Sequence, residues 1–330
     1  MKRYTPLLTI LILCAGVLPV CGGNLTDRKD IPFTTLISQL SKASHDTVRN
    51  VDTVQCDLRV EQAGRLLLSG KLTAYVWPRP DYPTHTGLYG FLDAWRIEVT
   101  SWPAMDEMFK SPENQKYAEW YSPGAVLVYG SEGCWLVAPG GKEAMKFKLD
   151  SVSTGFVFGP INPMLCYYYQ AVGFTLDNCD FTKTVGHRLR TQLIDGRKCA
   201  VYSFRLPAKL AENDTYVAYL DTVTGMPVRE ETFLKGKRLG WATYSQYVKF
   251  AGSSYTAQKW VVCAETEKPQ VATEADFCPL GTHSFLVKEV RLTQKPAGKV
   301  WAKMTFSNWK AVKVEDSFFA PPKGVTRVDP

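Results

Sequence analysis

An α+β fold built on a single antiparallel β-sheet is what this sequence predicts, on three observations. Aromatic residues make up 12% of the 330 residues, with Trp 9, Tyr 16 and Phe 16, and together with many β-branched residues they favour strands. Apolar and polar side chains alternate in short runs along most of the chain, with polar turns between them. Helical spacing is clear only near the front and in one short stretch further on. At 45% hydrophobic and 22% charged residues the chain can bury a core and is not a disordered polymer.

The first element is a leader. Lys2 and Arg3 precede Leu7-Leu8-Thr9-Ile10-Leu11-Ile12-Leu13, and small and apolar residues continue to Val20. A charged start and an apolar stretch of this length describe a signal peptide, shorter than the about 20 residues of a membrane-spanning helix. Residues 1–23 are therefore read as a signal peptide and the protein as exported. Cys21-Gly22-Gly23 leaves a second cleavage open, in which residues 1–20 leave and Cys21 carries a lipid. Against that stand Pro19 and Val20, where a lipoprotein signal has small residues.

From Phe33, the apolar positions Leu36, Ile37, Leu40, Ala43, Thr47, Val48 and Val51 are spaced for one helical face, with Pro32 at its start. The period then changes to two. Val54, Cys56, Leu58 and Val60 alternate with Gln55, Asp57, Arg59 and Glu61, the pattern of a strand with one dry face. Gln62-Ala63-Gly64 turns it into a second strand through Leu66, Leu68, Leu72, Ala74 and Val76, with a bulge expected at Gly70. Further strands are expected at Trp95-Ile97-Val99, Val126-Val128, Trp135-Val137, Cys199-Val201-Phe204, Tyr216-Ala218-Leu220, Trp241-Tyr244-Tyr247, Phe285-Val287-Val290 and Val300-Met304-Phe306. That makes about 11 strands, with a second helix over Asn162 to Ala171. No repeat, low-complexity tract or linker divides residues 31–330, which are read as one domain.

Several functional classes find no support. The net charge of +7 is spread without a basic run, so nucleic-acid binding is not expected. No G-x-S-x-G, H-E-x-x-H, Walker A or G-x-G-x-x-G motif occurs. His45, His85, His187 and His283 have no ligand-spaced partners, so no metal and no cofactor are expected, and no catalytic residue is assigned. Apart from Cys14 and Cys21 there remain Cys56, Cys134, Cys166, Cys179, Cys199, Cys263 and Cys278, an odd number without C-x-x-C. Cys263 and Cys278 flank a polar stretch and are the expected disulfide in an exported chain; buried thiols are the other reading.

Six segments, in order, resemble the periplasmic carriers of outer-membrane lipoproteins, the LolA-like family. They are the opening helix and strand over Leu36 to Glu61, and Gly70-Lys71-Leu72 followed by Arg79-Pro80. Ser131-Glu132-Gly133-Cys134-Trp135-Leu136 and Asn162-Pro163-Met164-Leu165 come next. Asp221-Thr222-Val223-Thr224-Gly225-Met226-Pro227 and the ending Phe318-Phe319-Ala320-Pro321-Pro322-Lys323-Gly324-Val325 complete the series. The resemblance spans about residues 33 to 328 and implies insertions near 91–119 and 263–280. It also implies an incomplete barrel: a strongly curved sheet with helices over its concave face.

Such a face would be an apolar trough. Val54, Leu58, Leu66, Leu72, Val99, Trp135 and Phe204 are its expected lining; as ordinary core they would pack against helices instead. Acyl chains gain about 0.8 kcal/mol per CH₂ removed from water, so a trough can hold a lipid by area alone. The resemblance further implies that Arg79 holds a lid segment at Pro163, Met164 and Leu165 through its rigid fork of donors; an exposed turn arginine is the alternative. The resulting expectation is a monomeric envelope or periplasmic protein that is not an enzyme. It would bind acyl chains or lipoproteins and meet inner- or outer-membrane transport components. A lipid-anchored receptor on Cys21 and a non-transporting sensor or scaffold are the two other readings of the same fold.

Overall fold

The computed structural model describes residues 28–47, 51–76, 94–104, 115, 118–130, 133–147, 184–205, 215–249, 255–265, 270–282, 284–295 and 297–328. The predicted alternation becomes a sheet of 17 strands, not 11. A short β1 (Asp30–Pro32) leads into α1 (Phe33–Thr47). A first meander follows through β2 (Thr53–Gln62), β3 (Arg65–Tyr75), β4 (Trp95–Ser101), β5 (Val126–Gly130), β6 (Gly133–Val137) and β7 (Glu143–Phe147). A second meander runs through β8 (Val185–Ile194), β9 (Arg197–Arg205), β10 (Thr215–Asp221), β11 (Pro227–Leu234) and β12 (Lys237–Lys249). It continues as β13 (Tyr255–Ala264), β14 (Val271–Leu280), β15 (Ser284–Gln294) and β16 (Lys299–Val312), and β17 (Thr326–Val328) closes the chain.

Within each meander consecutive strands pair antiparallel, and the two meanders are joined where β16 pairs with β2, placing Phe306 opposite Leu58. The sheet is not closed. One edge ends in β8 with β1 beside it, Ile31 opposite Gly186. The other ends in β7 with β17 parallel to it, Arg327 opposite Ala144. Strands β7 and β8, consecutive in sequence, thus lie towards opposite edges. The β2–β3 turn is the two-residue kind that matches strand twist, with Ala63 at φ 47 and Gly64 at φ 79. The expected bulge is present: the β3–β4 register shifts between Ser69 and Gly70.

Helix α1 buries Phe33, Leu36, Leu40 and Ala43, a stripe at spacings of three and four. Phe33 packs edge-on to Phe204 and Tyr216, with ring centroids 5.1 and 5.9 Å away. Gln39 Nε2 donates to the Gly225 carbonyl in the β10–β11 turn at 3.3 Å. The helix also touches β13 and β15. Its 15 residues span about 22 Å, yet β1 and β15 are separated by seven strands, about 38 Å in a flat sheet. One apolar cluster joins α1 to side chains from both meanders. Smaller clusters lie on the opposite face, for example Cys199, Val201, Val217, Tyr219 and Val228 on β9 to β11.

The expected Cys263–Cys278 bridge is not formed: neither cysteine is in a disulfide, and nor are Cys56, Cys134 and Cys199. Cys263 lies opposite Ala272, and Cys278 lies six residues further along β14, about 20 Å at strand rise, far beyond the about 7 Å a bridge spans between Cα atoms. The polar stretch between them is a β-hairpin rather than a loop, and the other expected insertion contains β4. Burial drives the Cys56 and Cys134 thiols far up and Cys199 up to about 11. Without reductant, alkylation in denaturant should modify both Cys263 and Cys278. In the native state at pH 8, Cys56 and Cys134 should stay unmodified. A peptide in which Cys263 and Cys278 are joined would restore the bridge.

Candidate functional site

The apolar face is the candidate site, and strand alternation places most of its expected lining. Val54 and Leu58 on β2, Leu72 on β3, Val99 on β4 and Phe204 on β9 belong to one cluster with Leu36 and Leu40 of α1, all buried. Leu66 is half-buried and outside that cluster. Trp135 is on the opposite face. Cys134 and Leu136 point into the main cluster, which sends Trp135 and Val137 to the other side with Val128 and Ala144, where Val325 packs on them. The Trp135 ring lies 4.8 Å from the Arg327 guanidinium and 5.3 Å from Lys146 Nζ. Because Cys134 to Val137 are all apolar, alternation alone could not choose the face. Arg79, Pro163, Met164, Leu165 and Cys21 lie outside the described residues.

Two carboxylates that the sequence reading did not single out meet on β11, one for each face. Glu230, 4% exposed, points to the apolar side and accepts from Tyr216 Oη at 2.6 Å and Tyr244 Oη at 3.0 Å. Both tyrosines belong to the main cluster. Glu231 points outward and accepts from Tyr219 Oη at 2.7 Å, Arg229 at 2.6 Å and Arg238 at 2.8 Å. Arg238 also makes two bonds to Glu265, at 2.8 and 2.6 Å. Burial pushes the Glu231 carboxyl up, but the three donors outweigh it and hold the group below the ordinary carboxylate range. The Tyr219 hydroxyl is pushed up to about 12, by burial first and then by its bond to Glu231. Pro227-Val228-Arg229-Glu230-Glu231 has no apolar alternation, so nothing in the sequence marked it as a strand buried on both faces.

The C-terminal segment shapes one hollow of about 490 Å³, lined by Arg96, Lys313, Ser317 and Phe318 among others. Arg96 stands over the Phe318 ring at 4.6 Å, and Tyr75 Oη donates to Asp316 at 2.6 Å. A second hollow of about 500 Å³ lies at the other edge, lined by Lys29, Asp30, His187, Arg188, Leu189, Arg190 and Thr191. There His187 Nδ1 and Asp30 are 2.8 Å apart. Among the described residues, no three His, Cys, Asp or Glu side chains are grouped to hold a metal ion. The apolar face is packed against α1 as core and carries two tyrosine-held carboxylate oxygens.

This is the class the geometry defines: a large unclosed antiparallel sheet with one continuous apolar face and, among the described residues, few helices. No family model matches the sequence, and no curated protein matches it. Among solved structures, the chain is similar to a DUF1329 family protein from Desulfovibrio piger, at 14% identity and TM-score 0.35, covering 88% of this chain and 97% of the other. It is similar to a LolA superfamily protein from Nitrosomonas europaea, at 12% identity and TM-score 0.35, covering 86% and 96%. It is similar also to the lipoprotein LppX of Mycobacterium tuberculosis, at 11% identity and TM-score 0.24, covering 85% and 97%.

Proposed function

We propose that the sheet curls around α1 as an incomplete barrel and that the protein, exported to the cell envelope, holds acyl chains or lipoprotein anchors against its apolar face. It does so without catalysis, as a carrier of lipid or lipoprotein towards the outer membrane. The observation that carries this reading is the reach of α1. A helix of about 22 Å can meet β1, β9, β10, β13 and β15 together only where the sheet wraps around it. The order of six family-like segments along the chain supports the same reading. Affinity would come from apolar area, with Glu230 a buried carboxylate on that face.

The test uses the protein as isolated from exporting cells. A fluorescent hydrophobic probe should bind and be displaced by palmitate and by a diacylated lipopeptide alike, with little change between 0.05 and about 0.5 M salt, because buried apolar contacts are not screened. Mass spectrometry of the same sample reads the mature N-terminus, any lipid on Cys21 and any retained acyl ligand. A lipid on Cys21 turns the reading to an anchored receptor. No probe binding and no retained lipid would end the carrier reading and leave a sensor or scaffold.

A further inference from the structure

The β8 edge carries exposed leucines among arginines. Leu189 is 55% and Leu193 69% exposed, and Val223 is 86% exposed. Single exposed apolar residues are ordinary, but these share one end of the sheet. Leu193 is opposite Lys198 on β9, and the Thr222 amide donates to the Lys198 carbonyl at 2.9 Å, which sets Val223 in the neighbouring turn. A register shift between Arg188 and Arg190 leaves Leu189 without an opposite residue on β9.

The charge around these side chains is positive. Lys29, Arg188 and Arg190 line the hollow at this edge, and Lys198 faces Leu193. Arg188 donates to Thr191 at 2.9 Å and Arg190 to Gln192 at 3.1 Å, both neutral partners. Of the acids nearby, Asp30 is held by His187 and Asp221 by Arg197 at 2.7 Å; Asp195 stands in the β8–β9 turn. Leucine flanked by arginine suits the zone between lipid headgroups and acyl chains, where apolar side chains insert and guanidinium groups meet phosphates. The chain also reaches this edge from its apolar leader: Cys21 precedes Asp30 by nine residues, and Asp30 pairs with His187.

We propose that this tip, formed by β8 with the β8–β9 and β10–β11 turns, docks on the surface of an anionic bilayer. Leu189, Leu193 and Val223 enter the interface, and Lys29, Arg188, Arg190 and Lys198 sit among lipid phosphates. The docking does not depend on cargo in the apolar face. It is tested by sedimentation of the protein, as isolated from exporting cells, with vesicles of phosphatidylcholine alone and of phosphatidylcholine with about one third phosphatidylglycerol. A lipid on Cys21 would hold the chain to both alike, so the ratio between the two is the readout. The ratio should be at least about tenfold at low salt and fall towards one at about 0.5 M salt.

Arg188→Gln with Arg190→Gln should lower the ratio about 25-fold or to unity, about fivefold per arginine. Leu189→Ser with Leu193→Ser should weaken binding to both vesicles about tenfold. Trp301→Ser, 43% exposed in the wild type and at the opposite end of the strands, should change neither. Equal binding to both vesicles in low salt, or a ratio unmoved by the arginine pair, would overturn the proposal. So would a stable complex with a second protein through β8 in place of vesicle binding.

Discussion

Phe204→Ala is expected to cost about 3–5 kcal/mol of stability, the range for deleting a fully buried aromatic ring, with a further loss for its edge-on contacts to Phe33 and Tyr216. The ring is the meeting point of α1, β9 and β10, and it lies so close over β8 that a Cβ on Gly186 would stand 2.3 Å from it. Gly186→Ala should therefore destabilise by the same contact from the other side, by about 1–3 kcal/mol through overpacking. Chemical denaturation followed by far-UV circular dichroism reads both. A midpoint for Phe204→Ala within experimental error of the wild type would mean that the helix is not packed there.

Glu231→Gln keeps the shape of the side chain and removes its charge from between Arg229 and Arg238, both partly buried. Arg229 then loses its carboxylate while Arg238 keeps its two bonds to Glu265, and a loss of about 2 kcal/mol, the scale of one hydrogen-bonded charge, is expected at pH 7. The sign with pH follows from the direction of the shift. The folded carboxyl titrates below its ordinary value of 4.5, so its stabilisation is complete above that value and is lost as pH falls through the lower, folded one. The stability gap between wild type and variant should thus narrow from pH 7 to pH 3. Urea midpoints at the two pH values check it. An unchanged gap would assign the loss to packing and not to the ion pairs.

Where one face was wet, the strands were legible. Exposed Asp57 and Arg59 alternate with buried Cys56 and Leu58, and β2 falls where its alternation put it. Where polar residues sit on a strand because they pair across it, the sequence looked like a loop. Glu274 and Asp276 on β14 face Arg291 on β15, and Pro279 lies within the strand, one residue before its end, so a hairpin passed for a polar insertion. β8 was hidden for a related reason, since Arg188, Arg190 and the exposed leucines break any two-residue period. Of the candidate site, the aliphatic residues of the buried face were legible from alternation, and Trp135 was misplaced because both parities of β6 are apolar. Glu230 was missed because its partners, Tyr216 and Tyr244, lie on other strands, and no spacing in a sequence records that.

The seam between β16 and β2 governs how such a chain must come together in time. Asp57 and Asn308, bonded across it at 2.6 Å, are 251 residues apart. Each meander can fold strand by strand as it emerges, but the edge of β2 stays unpaired until nearly the last strand has been made. Closing contacts so distant in sequence is slow, and an unpaired strand edge invites other chains in the meantime. The newly made protein therefore spends its longest folding interval with the β2 edge open, and its yield should depend on helpers that shield strand edges more than on the stability of the finished sheet.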